Sequence, residues 1–405
     1  MVVADTYIQS VLNGIGVSPA SIYGNYFQKV PLETIDLSPK VHLIVKKKRL
    51  MHRARIAYDF LPIYLSAERH VKAPLVFAGY GITAPEHKYD DYRNIDVRNK
   101  IVLLLRHEPG ERDPDSPFDG TKLSKHGTYL SKIKNAQKHG AVAVLFVTDP
   151  LNHKQLTVTG GFFSGTSWAA IRKARLKTRK DYSFLKISER MRIIGDHFGV
   201  RIPVAHISGE LAESILQPKR DLLSLQKKID RNLKPVSFAI EQTEIDLSIY
   251  YKRSTVKAHN IVAKIEGSDP ELKKEVVIIG AHYDHIGPNN RGQIHGGADD
   301  NASGSAAVLE LARAFQMLKK KPKRTILFIL FTAEEKGLLG SRYYVKDPLF
   351  PLNKTLAMFN LDMIGRNDVD QLNVLGKYQY PKLFRIVDRI NKKTVNMSFN
   401  FTVED

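Results

Sequence analysis

The sequence predicts an α/β fold layered around a mainly buried sheet. Three observations carry this. Unbroken apolar runs at 276–280, 325–332 and 356–361 read as strands covered on both faces. Helical patterns at 303–318 and 337–345 alternate with them. Each apolar run also turns polar abruptly at its carboxyl end, where open α/β sheets collect their sites.

The elements follow in chain order. Residues 4–17 read as an amphipathic helix with Tyr7, Val11, Leu12 and Ile15 on one face, ended by Gly14 and Gly16 ahead of Pro19. A strand is expected at 41–45. A second unit begins near Ala73. Its apolar run 75–80 reaches Gly79-Tyr80-Gly81, and Asp90-Asp91-Tyr92 reads as a turn. A buried strand at 100–105 leads to a helix at 129–138, with Ile133 and Ala136 inward and His139-Gly140 as its stop. Strands at 141–147 and 202–207 and a helix at 209–216 complete a small α/β unit. The polar, basic stretch 220–234 reads as a connection. A third unit opens near Ile245, with a first strand at 260–265.

Composition narrows the chemistry. A chain of 405 residues suits two or three domains. There is no cysteine, so disulfides, thiolate zinc sites and cysteine nucleophiles are excluded. Any metal must be held by His, Asp and Glu. The formal charge of +20 raises nucleic-acid binding, but the basic runs at 46–49, 172–180 and 319–324 are scattered and not interleaved with aromatics. A solvated basic surface is the expectation, with no nucleic-acid partner. No apolar segment approaches the roughly 20 residues that span a bilayer, and residues 1–7 show no signal-peptide pattern.

Four motifs sit at the ends of the third unit's strands. His282 and Asp284 follow the run 276–281; two residues apart, they share a face of a continuing strand. Asp299-Asp300 precede the helix from 303, where capping is the ordinary role of such carboxylates. Glu334-Glu335 follow the run 325–332; adjacent glutamates point apart, so one can bind metal while the other stays free as a base. Asp362 ends the run 356–361, where a lone Asp is most often a turn residue. Each alone has a bland reading. Together they bring imidazole and hard carboxylates to one sheet edge, a set that suits zinc, and a bridging carboxylate suits a pair of ions.

These residues resemble the two-zinc aminopeptidase family, which includes leucyl aminopeptidases, glutamate carboxypeptidase-like exopeptidases and glutaminyl cyclases. The resemblance rests on His282-Tyr-Asp284-His285-Ile-Gly287, Gly297-Ala-Asp299-Asp300-Asn301-Ala-Ser-Gly304, Glu334-Glu335-Lys-Gly337-Leu-Leu-Gly-Ser341 and Asn360-Leu-Asp362-Met-Ile-Gly365. The middle unit, with Phe77-Ala-Gly-Tyr-Gly81, Tyr89-Asp-Asp-Tyr92 and His139-Gly140-Ala141, resembles the protease-associated domain that many members carry as an insertion. The resemblance implies a three-layer α/β/α zinc-exopeptidase domain with a mainly parallel mixed sheet, plus a smaller inserted α/β domain. Its boundaries would be 1–70 for the first part of the peptidase domain, 71–220 for the insert, 221–244 for a connection and 245–405 for the catalytic part.

Carried over by motif position, His282 and Asp362 would bind one zinc, Asp300 would bridge to a second, and Glu335 would hold that second ion. Glu334 would be the general base and Asp284 would orient His282. Asp299 is not assigned as a ligand, and His285 and His295 are expected as structural or supporting residues. The implied substrates are peptides with a free N-terminus, and the family habit is secretion. The family also takes a further histidine on the second zinc from a segment well after Asp362. No histidine follows His295, so a chain truncated at its ends, with an incomplete second site, is the expectation. A turnover-free binding scaffold and a glutaminyl cyclase are the alternative readings.

Overall fold

The computed structural model describes residues 2–21, 23–153, 190–196, 198–288, 292–366 and 368–401. The basic run at 172–180 lies outside these. The chain divides into two compact units, 1–32 with 256–405, and 33–255. Among the described residues no helix is long and apolar enough to cross a membrane.

The first unit is built on a mixed sheet. Five neighbouring strands of this seven-stranded sheet lie in the order Phe27–Leu37, Tyr251–Ile265, Thr325–Phe331, Val276–His282 and Thr355–Asn360. Val276–His282 runs parallel to both of its neighbours, and Tyr251–Ile265 is antiparallel to Thr325–Phe331. Thr325–Phe331 is buried at every position, as its unbroken apolar sequence requires. One face of the sheet presents Ile261, Ala263, Ile279, Phe328 and Leu330 to Ile8 and Leu12 of the Val2–Ile15 helix and to Val308, Leu309 and Ala312 of the Gly304–Met317 helix. The other face packs Val262, Ile278, Leu327, Ile329 and Phe331 against Tyr344 of the Leu339–Lys346 helix. Helices on both faces make three layers, as the resemblance implies. Each fully buried aliphatic or aromatic side chain here contributes about 1.5–3 kcal/mol of transfer free energy.

The second unit holds an eight-stranded sheet in the order Leu50–Arg53, His42–Lys47, Ser237–Ile249, Arg69–Ala78, Ile101–Leu105, Ala143–Val147, Val204–Ile207 and Phe60–Pro62. The four strands from Arg69–Ala78 to Val204–Ile207 are parallel; the flanking pairs are antiparallel. The Tyr129–Lys138 helix, capped by Thr128, buries Ile133 and Ala136, the residues that its sequence turns inward.

Two expectations differ from the structure here. The stretch read as a connection folds as the Leu222–Asn232 helix: Asp221 caps it by accepting from the Ser224 N–H, and Leu222, Leu225 and Ile229 are buried. Residues 33–70, expected with the peptidase part, supply three strands to the second unit's sheet. Strand pairing between segments distant in sequence decides the second, and local pattern does not report it.

Candidate metal centre and active site

The parallel register places the candidate residues at one edge of the first unit's sheet. His282 pairs with Phe331, and Gly280 with Asn360, so three strands end together. His282 is the last residue of its strand, Glu334 and Glu335 follow Phe331 closely, and Asp362 follows Asn360 by two. Asp300 arrives from the Ala298–Ser303 turn that enters the Gly304–Met317 helix.

Asn301 locks that turn to the Asp362 strand end. Its amide donates to the Leu361 carbonyl oxygen at 3.0 Å, and its Oδ1 accepts from the Gly304 and Met363 N–H groups. Gly304 allows the close approach: a Cβ there would lie 2.3 Å from the Leu361 oxygen. Asp299 accepts from the Gly365 N–H at 2.9 Å.

The His282 ring is nearly fully buried and held on both sides. Nδ1 lies 3.0 Å from the main-chain carbonyl oxygen of Asp284. A carbonyl only accepts, so Nδ1 carries the proton and Nε2 keeps its lone pair free. That lone pair faces Asp300 Oδ1 at 3.2 Å, Asp362 Oδ1 at 3.5 Å and Glu334 Oε2 at 3.8 Å. Asp284 was expected to orient His282. Its main-chain carbonyl is the group that meets Nδ1; its carboxylate lies 3.8 Å from Nδ1 and accepts from the Glu334 N–H at 3.1 Å. The carboxylate therefore sets the position of Glu334.

Two donor groups result. His282, Asp300 and Asp362 form one; His285, Asp300 and Glu335 form the other, with ligand atoms in each group within 4.8 Å of one another. Asp300 belongs to both. His285, expected only in a supporting place, brings Nδ1 to 2.7 Å from Glu335 Oε1 and 3.8 Å from Asp300 Oδ2. His295 is exposed and joins neither group. The signal for His285 was its place three residues past a strand-end histidine, but the loop's direction is not written in that spacing.

The electrostatics fit a cation. Burial raises the Glu334 carboxyl; His282 opposes that, while Glu335, Asp362 and Asp284 add to it. Burial likewise raises Asp284, against the Glu334 N–H bond. Carboxylates crowded this closely repel unless positive charge lies among them. Imidazole nitrogen with carboxylate oxygen is a donor set that zinc accepts. Glu334 stands beside the first group without being part of it.

Comparison with known proteins places these residues in context. Residues 260–403 match peptidase family M28 and residues 71–170 match the PA domain. Leucine aminopeptidase 1 of Trichophyton rubrum is 39% identical over 120 residues, covering 28% of this chain and 31% of that protein. Aminopeptidase YwaD of Bacillus subtilis (strain 168) is 28% identical over 301 residues, covering 74% of this chain and 45% of that protein. The chain thus spans less than half the length of these curated relatives. Among solved structures, an aminopeptidase from Aneurinibacillus sp. strain AM-1 aligns at 20% identity with a TM-score of 0.44, over 91% of this chain and 66% of that one.

Proposed function

We propose, from the premise that this chain carries a peptidase family M28 domain and a PA domain, that it is a zinc-dependent aminopeptidase removing N-terminal residues from peptides. The observation that carries the proposal is Asp300, which stands in both donor groups and so can bridge two ions. His282, Asp300 and Asp362 would hold one; Asp300, Glu335 and His285 would hold the other. His285 would give the second group an imidazole from within the strand-end loop itself. Zinc bound there would polarise the scissile carbonyl and make a water acidic.

The chain's own residues have the remaining work. The Glu334 carboxylate would accept a proton from the attacking water, then deliver it to the amine nitrogen as the C–N bond breaks. Its main chain is fixed by the Asp284 carboxylate, so its reach toward His282 is preset. The His282 tautomer is set by the Asp284 carbonyl, which leaves Nε2 as the coordinating atom.

The test is hydrolysis of aminoacyl-p-nitroanilides by the zinc-stripped and zinc-reloaded chain. Activity should return with zinc and be lost on N-acetylation of the substrate. Retention of both ions without any hydrolysis would instead support a binding scaffold.

A further inference from the structure

A second place in the molecule assembles metal-ligand side chains, and it lies wholly within the unit 33–255. The strands Ile101–Leu105 and Ala143–Val147 are parallel neighbours, with Leu105 paired to Val147. Two residues past each end stand His107 and Asp149; four further on stand Glu111 and His153. Matched register therefore carries four ligand types to one spot. His107 Nδ1 lies 2.6 Å from Asp149 Oδ1 and 3.4 Å from Glu111 Oε2. His153 Nε2 lies 2.5 Å from Glu111 Oε1 and 3.6 Å from Asp149 Oδ2. The two imidazoles stack with centroids 4.0 Å apart.

Asp149 supplies the independent sign of a ligand. It is fully buried, and its Oδ2 has no hydrogen-bond partner. A buried carboxylate oxygen without a donor is costly unless a cation meets it. The surrounding cations are engaged elsewhere: Lys132 Nζ donates to the carbonyl oxygens of Leu105, Arg106 and His107, and Arg106 donates to the Gly127 oxygen. Arg112 donates to the Asn152 oxygen and so ties the two ligand-bearing loops together. An open cleft of about 480 Å³, lined by His107, Glu111, Arg112 and Lys122 among others, gives a path from solvent.

We propose that His107, Glu111, Asp149 and His153 form a second, structural metal site that takes a zinc-like divalent cation in a two-imidazole, two-carboxylate set. Four such ligands close a tetrahedron. Two carboxylates neutralise a divalent charge, so the ion can sit beside a fully buried group at low cost. The site is independent of the hydrolytic reading.

The experiment measures bound zinc per chain by plasma mass spectrometry after chelator stripping and dialysis against zinc, on the full chain. Glu111→Gln and His153→Ala, both at partly exposed positions, should each lower the stoichiometry by one ion. Asp300→Asn, which disrupts the first unit's groups, should keep one ion, and adding His153→Ala should remove it. Cobalt in the Asp300→Asn chain should give the intense visible bands of a tetrahedral nitrogen–oxygen site, absent in the double variant. Zinc should also raise the melting temperature of Asp300→Asn but not of the double variant. The same stoichiometry with and without His153, in chains of unchanged far-ultraviolet circular dichroism, would overturn the proposal. So would a folded Asp300→Asn chain that holds no ion. Either result would leave these four side chains as a hydrogen-bonded network only.

Discussion

The two strand-end clusters are made from the same ligand types but differ in what they leave over. In the second unit, two imidazoles and two carboxylates all belong to one donor group. In the first, carboxylates outnumber imidazoles, Asp300 is shared between two groups, and Glu334 lies beside them in neither. A closed ligand set suits a site that holds structure; an open set with a spare base suits one that performs chemistry. Parallel strands ending in register can build either kind. The difference is written in which side chains follow the strand ends.

Variants can break this comparison, and the largest effect should come from the shared ligand. Asp300→Asn should take aminoacyl-nitroanilide hydrolysis to background and lower the zinc content of the first unit, as read by rate and metal analysis together. Glu334→Gln should reduce kcat by about 10²- to 10⁴-fold while both first-unit ions remain. Loss of zinc in that variant would mean that the two adjacent glutamates have exchanged roles. Leu103→Ala, on a fully buried strand of the second unit, should cost about 2–5 kcal/mol by urea denaturation and weaken zinc retention by His107 and Asp149 more than by His282.

The smallest effect concerns pH. Burial pushes the Asp59 carboxyl up, but hydrogen bonds from the Arg55 side chain and backbone N–H more than offset this and leave it below its ordinary value. A lowered carboxyl stabilises the fold above the unfolded-chain value of 3.8, and that stability is lost as pH falls through the lowered folded value. The urea midpoint of Asp59→Asn should therefore trail the parent at neutral pH and converge with it in acid.

Much of this was legible in the sequence, for a physical reason. Apolar runs such as 325–331 must be buried strands, and their abrupt polar ends identify His282, Glu334, Glu335 and Asp362 as edge residues. Asp300 was singled out by the family resemblance of its motif, since by position alone capping is its ordinary reading. The place of His285 was not legible, because a loop's course depends on contacts that no periodicity records. The Leu222–Asn232 helix did carry a signal, Leu222, Leu225 and Ile229 at helical spacing, masked by its lysines. Ser237–Ile249 carries Glu241, Glu244 and Asp246 and pairs as a strand on both sides. The four side chains of the second unit's cluster were also written plainly, two after each strand and four beyond, yet that pattern gains meaning only once the strands are known to be neighbours.

The central claim is that the strand-end cluster around Asp300 hydrolyses peptides through bound zinc. Hydrolysis of leucine p-nitroanilide by the stripped chain, the zinc-reloaded chain and zinc-loaded Glu334→Gln tests it most directly. The account predicts turnover only in the reloaded parent chain, with zinc retained in the variant. A fully zinc-loaded parent chain that leaves the substrate intact, or turnover unaffected by stripping, would contradict it.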